Sequence, residues 1–218
     1  MKTNYQLVLD EMLKEVKKGS RLLLHSCCGP CSSYVISYLA KYFEITVFYY
    51  NPNIYPENEF LKRLEVQKKF VKAFDEKIKV VSPIYDEREF LTKVKGLEKE
   101  KEGGRRCPIC YALRLEKAFL YAKEHNFDYV TTTLTVSPYK HSDILNALGK
   151  TFSKKYDIPY LYSDFKKKDG YKKSIALSKE YDLYRQDYCG CRYSLKEKEE
   201  YLKEKEALEL VEIKRLRF

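Results

Sequence analysis

The run Arg-Leu-Leu-Leu-His-Ser, residues 21–26, breaks directly into Cys-Cys-Gly-Pro-Cys, residues 27–31. A short run that is apolar on successive residues suits a parallel strand buried on both faces. Gly29-Pro30 then opens a helix to about residue 42, with proline at the first position, where no N–H is needed. A strand feeding straight into a helix constrains the fold strongly, because parallel strands can only be joined by a crossover.

The rest of the chain keeps this alternation. Residues 5–18 read as a helix with Asn4 as N-cap, an apolar stripe of Leu9, Met12, Leu13 and Val16, and Gly19 as the stop. "EITVFYY" is a second strand, residues 57–73 a helix, "KIKVVSP" a third strand and "DEREFLTKV" a short helix. "GLEKEKEGGRR" is a charged loop that reads as a mobile insert. "CPICYALRLEKAFLYAKEH" is a helix expected to start beside Pro108, so that Cys107 precedes it and Cys110 falls in its first turn. "FDYVTTTL" is a fourth strand, "HSDILNALGKTFSKKY" a helix capped near Ser142 or Asp143, and "IPYLYSDF" a fifth strand. "SIALSKEYDLY" is a further helix, "YCGCRYS" a tight turn, and residues 195–218 a charged helix and tail. The expectation is one α/β domain over residues 1–218, a Rossmann-like parallel sheet with helices on both faces. Ligands of such sheets bind beyond the carboxyl ends of the strands, which places the 25–31, 51–56 and 133–140 segments at one edge.

Lysine and arginine number 42 against 32 acidic residues, a net charge of +10. A basic surface favours polyanions such as nucleic acid, and 21 Tyr and 11 Phe offer rings on which bases stack. The same charge also reads as a Lys/Glu-rich surface suited to heat. No stretch approaches the ~18 apolar residues of a membrane span. The first twenty residues lack the apolar core of a signal peptide, so a cytoplasmic location is expected.

Seven cysteines fall in three clusters: Cys27, Cys28 and Cys31; Cys107 and Cys110; Cys189 and Cys191. In a cytoplasmic chain they point to metal binding or catalysis before disulfides, and an odd number excludes complete pairing. Helix N-termini near Cys28, Cys31, Cys107 and Cys110 favour thiolates, which iron and zinc bind. Gly29 and Gly190 permit close backbone approach. Three readings stay open. A single CxxC fits thiol–disulfide chemistry. A four-thiol structural zinc leaves three thiols unexplained. Four thiols for a [4Fe–4S] cluster leave three for a second metal with an open position.

Among the histidines, His25 reads as a buried structural residue, His125 as a helix C-terminal residue and His141 as lying near a helix start. Asp10 and Asp164 could complete a metal shell but are ordinary as surface or cap residues. Asn51, Asn53, Glu59 and Arg63 cluster after the second strand, where a Pro/Asn turn explains Asn51 equally well. Lys140 ends the fourth-strand segment as a candidate nucleotide contact, and Tyr171, Tyr184, Arg185 and Gln186 lie near the Cys-Gly-Cys turn.

Together "LLLHSCCGPCSSY", "YYNPNIYPENEFLKR", "CPICYALRLEKA", "TTTLTVSPYKH" and "YRQDYCGCRYS" resemble the cobalamin-independent epoxyqueuosine reductase family, QueH, over residues 20–194. The resemblance implies reduction of epoxyqueuosine to queuosine at the wobble position of tRNA, with a [4Fe–4S] cluster, an adjacent iron ion and an external electron donor. It implies a fold similar to PP-loop (adenine nucleotide alpha hydrolase-like) proteins. Their SGG phosphate loop is replaced here by the cysteines, so no ATP chemistry is expected. All seven cysteines become candidate ligands, with Cys27, Cys28 and Cys191 at the reacting centre. Asn51, Asn53, Arg63, Lys140, Tyr184, Arg185 and Gln186 are the candidates for holding the modified base. The rival classes are a zinc-stabilised RNA-binding module without catalysis and a thiol–disulfide oxidoreductase.

Overall fold

A computed structural model describes residues 3–215. Its four strands, β1 (Arg21–His25), β2 (Glu44–Phe48), β3 (Lys79–Val81) and β4 (Tyr129–Thr132), form one parallel sheet in the order β3-β2-β1-β4. Helices α1 (Tyr5–Lys14), α2 (Gly29–Leu39) and α3 (Glu57–Phe74) pack on one face. Helices α5 (Arg106–Glu124) and α6 (Ser142–Tyr156) pack on the other, and α4 (Glu87–Lys93) precedes α5. Side-chain alternation in β1 shows why both faces are covered. Leu22 and Leu24 enter the core with Val35, Leu39 and Phe70, while Leu23 enters the opposite core with Leu115, Phe119 and Val130. The fold is α/β and Rossmann-like, as the sequence leads one to expect. Helices α7 (Gly170–Glu180) and α8 (Arg192–Arg215) complete the chain; residues 216–218 of the expected tail lie outside the described residues.

The expected fifth strand does not form. Residues 158–165 touch the sheet at a single bridge between Val130 and Tyr160. Side chains take up the backbone groups a ladder would use: Thr131 Oγ1 donates to the Leu161 carbonyl at 2.8 Å, and Asn146 both donates to the Ser163 carbonyl and accepts from its N–H. Pro159 has no N–H to offer. The α1 and α2 helices stop at Lys14 and Leu39, short of the expected 18 and 42. The α5 helix starts at Arg106, so Cys107 lies inside it rather than before it. Pro108 then sits in the first turn, where a missing N–H is tolerated. No helix of the described residues is long and apolar enough to cross a membrane.

Strand order reverses between β1 and β4, and in open parallel sheets the crevice beyond that switch point takes the ligand. The Cys27–Cys31 segment leaves β1 there, and the segment ending at Lys140 leaves β4 beside it.

Candidate metal centre

Cys28 caps α2 in an extended conformation, its sulfur accepting the Cys31 N–H at 3.4 Å. Ser26 and Ser32 both donate to Gln67 Oε1 of α3, at 2.7 and 2.8 Å, which pins the turn from behind. The sulfurs of Cys27, Cys28 and Cys31 converge within 4.8 Å of one another, the one group of metal-ligating side chains this tight among the described residues. Hydrogen bonds from Cys28 and Cys31 hold the Cys27 thiol well below its ordinary range. Burial pushes Cys28 up to about 12, and the bond to Cys27 raises Cys31. Three sulfurs this close, with Cys27 the one whose thiolate is most favoured, form a donor set that a soft cation can complete.

The other two clusters lie at the start of α5 and in the turn before α8. Cys107 Sγ accepts the Gly103 N–H at 3.2 Å, and residues 96–106 are tied down by Arg106, whose guanidinium donates to the Leu97, Glu98 and Glu100 carbonyls. Cys110 and Cys191 are buried in one cluster with Phe90 and Val94. Cys189 joins Cys27 and Cys31 in lining a cavity of about 710 Å³, along with Arg114, Tyr139, Lys140 and Gln186. Burial pushes Cys110 up to about 11 and Cys189 up to about 12. For Lys140, burial opposes the charge, but neighbouring Cys189 and Cys27 outweigh it and raise the pKa.

A family model described as epoxyqueuosine reductase QueH matches residues 22–197. The chain belongs to the QueH family. It is 42% identical over 202 residues to epoxyqueuosine reductase QueH of Streptococcus pyogenes serotype M1, covering 89% of this chain and 79% of that one. Against QueH of Staphylococcus epidermidis the identity is 40%, covering 88% and 85%. Against QueH of Thermotoga maritima it is 34%, covering 82% and 92%. A solved structure titled as a predicted subunit of tRNA methyltransferase from Methanocaldococcus jannaschii aligns at a TM-score of 0.48 and 16% identity, covering 72% of this chain and 76% of that one.

Of the side chains expected to contact substrate in this QueH chain, Lys140, Arg185 and Gln186 line the cavity. Gln186 also donates to Cys28 Sγ at 3.1 Å, while Arg185 is engaged by the Ser174 carbonyl and Ser178 Oγ. The remaining four are not among its lining residues. Asn51 is buried, donating to the Ser26 carbonyl and accepting from Arg114, and Asn53 is buried near it in sequence. Arg63 is buried, ion-paired with Glu59 at 2.6 Å and donating to the Cys189 carbonyl at 3.2 Å, while Tyr184 donates to Glu59. Gly190, at φ +131°, leaves room for that guanidinium. His25 is structural, as expected: it bridges Thr132 Oγ1 at 2.8 Å and the Tyr50 carbonyl, and burial lowers its pKa to about 3. Asp10 and Asp164 are paired with Lys168 and Lys166. His125 ends α5, and His141 caps α6.

Sequence reasoning missed Arg114. Its spacing of four from Cys110 places it one helical turn away, but a basic residue in a charged helix carries no sign of burial.

Proposed function

We propose that this chain reduces epoxyqueuosine to queuosine in tRNA, with its seven cysteines holding a [4Fe–4S] cluster and an additional iron ion. The observation that carries this reading is the three-sulfur group at the switch point, opening into a cavity that also exposes Cys189. Thiol donors at this density fit iron and iron–sulfur groups, and they also fit zinc. Once bound, such a centre supplies single electrons and Lewis acidity. Converting the epoxide to an alkene takes two electrons and two protons and releases the oxygen as water, so an external electron donor is required.

The chain's own residues support the substrate side of this reading. A cavity of about 710 Å³ suits a base splayed out of its stack. The exposed ring of Tyr139 and the ring of Tyr171 line it, offering stacking faces. Lys140 and Arg185 place positive charge at its walls, within a chain of net charge +10. Cys27 faces the cavity and is the leading candidate at the reacting centre; Cys28 and Cys191 are buried and would act as ligands from behind. A reaction on tRNA fits the cytoplasmic location expected from the sequence.

The test is oxygen-free purification with iron, zinc and sulfide measured together, followed by assay on tRNA carrying epoxyqueuosine. Brown protein with about four sulfides per chain, iron in excess of sulfide and formation of queuosine is expected. Colourless protein with stoichiometric zinc, inert after reconstitution with iron and sulfide, would establish the RNA-binding module instead.

A further inference from the structure

Three arginines are buried among the described residues: Arg63, Arg106 and Arg114, each at most 2% exposed. Arg63 pairs with Glu59 and Arg106 with Glu197. Arg114 has no such carboxylate among the described residues. Its Nε donates to the Cys110 carbonyl at 3.2 Å and its Nη1 reaches Asn51 Oδ1 at 3.5 Å. Its Nη2 is buried with no hydrogen-bond partner, and the side chain lines the same cavity as Cys27, Cys31 and Cys189. An isolated buried charge is strongly unfavourable unless an anion compensates it.

We infer that Arg114 is the fixed counter-charge of the thiolate-bound metal centre, a positioning residue that stabilises the centre's negative charge and raises its reduction potential. The inference rests on the reading of the cysteines as a metal site. Metal-bound thiolates keep their negative charge, so they supply the missing anion when the centre is loaded. Without a bound metal that anion is not supplied, and Arg114 is left poorly compensated. The residue therefore favours the loaded protein and disfavours the empty one. An arginine that merely packed or braced α5 would favour both.

Arg114→Met and Arg114→Lys, each compared with the parent, separate these roles. Thermal melting of the metal-free proteins and redox titration of the loaded proteins are the readouts. Arg114→Met is expected to melt higher than the parent when empty and to lose iron faster when loaded. Its midpoint potential is expected to move negative, by about tenfold in the oxidised-to-reduced ratio at a fixed solution potential, about 59 mV for a one-electron couple. Arg114→Lys keeps the charge and loses the fork, so its iron retention and potential should stay near the parent's. The inference is overturned if the empty Met variant melts lower while its loaded potential is unchanged. It is equally overturned if the Lys variant behaves like the Met variant, including a shared failure to fold. A parent that takes up neither iron nor zinc would instead sink the metal reading itself.

Discussion

At position 29 an added Cβ would lie 2.9 Å from the Val66 side chain and 3.1 Å from the Val66 carbonyl oxygen. The side chain can rotate away; the backbone carbonyl of α3 cannot. Glycine is there because α3 runs directly over the turn that carries Cys27 and Cys28. Gly29→Ala is expected to destabilise the protein by about 1–3 kcal/mol, as overpacking does. Because the displaced backbone lies between Cys28 and Cys31, iron content should fall more than stability does. Urea unfolding and iron analysis check this together, and a variant with full iron content would show that the turn has slack. A glycine beside cysteines was legible as a close approach; that α3 makes it was not, because nothing local in the sequence says which helix crosses which turn.

At the scale of the element, the Tyr188–Cys191 turn owes its position to another helix. The guanidinium of Arg63 donates to the Cys189 and Tyr188 carbonyls and lies 5.0 Å from the Tyr188 ring centre. Glu59, one helical turn earlier, holds it in place. Arg63→Met removes one partner of a largely buried ion pair, for which about 3–5 kcal/mol of stability is the expected loss. The turn should also detach from α3 and take Cys189 and Cys191 with it. Metal retention and denaturant midpoint measure the two effects, and loss of stability with no loss of metal would show that the turn is held elsewhere. Its clustering with Asn51, Asn53 and Glu59 after the second strand had suggested a substrate contact for Arg63. The absence of the expected fifth strand has a similar origin. "IPYLYSDF" has the composition of a strand, but Thr131 and Asn146 occupy its backbone groups, and both lie on other elements.

For the whole molecule, a net charge of +10 and a cavity rimmed by Lys140, Arg185, Tyr139 and Tyr171 make RNA binding electrostatic first. The affinity for tRNA should fall linearly with salt on logarithmic axes, at a slope of about −3 or steeper for a handful of phosphate contacts. Filter binding across a salt series measures it, and a slope near zero would remove the electrostatic interface. The alternation of strand and helix follows from the sequence alone, because it depends on local periodicity and on prolines and glycines at boundaries. So does the presence of a thiol site beyond β1, since Cys27, Cys28 and Cys31 share one turn. Tertiary structure decided that Cys189 opens into the same cavity while Cys110 and Cys191 meet in an apolar cluster. It also buried Asn51 against the Ser26 carbonyl and Arg63 against the Cys189 carbonyl, and it buried Arg114 without a carboxylate among the described residues. Such outcomes depend on which distant segments meet and on what burial does to a charge, and neither is written in the neighbours along the chain.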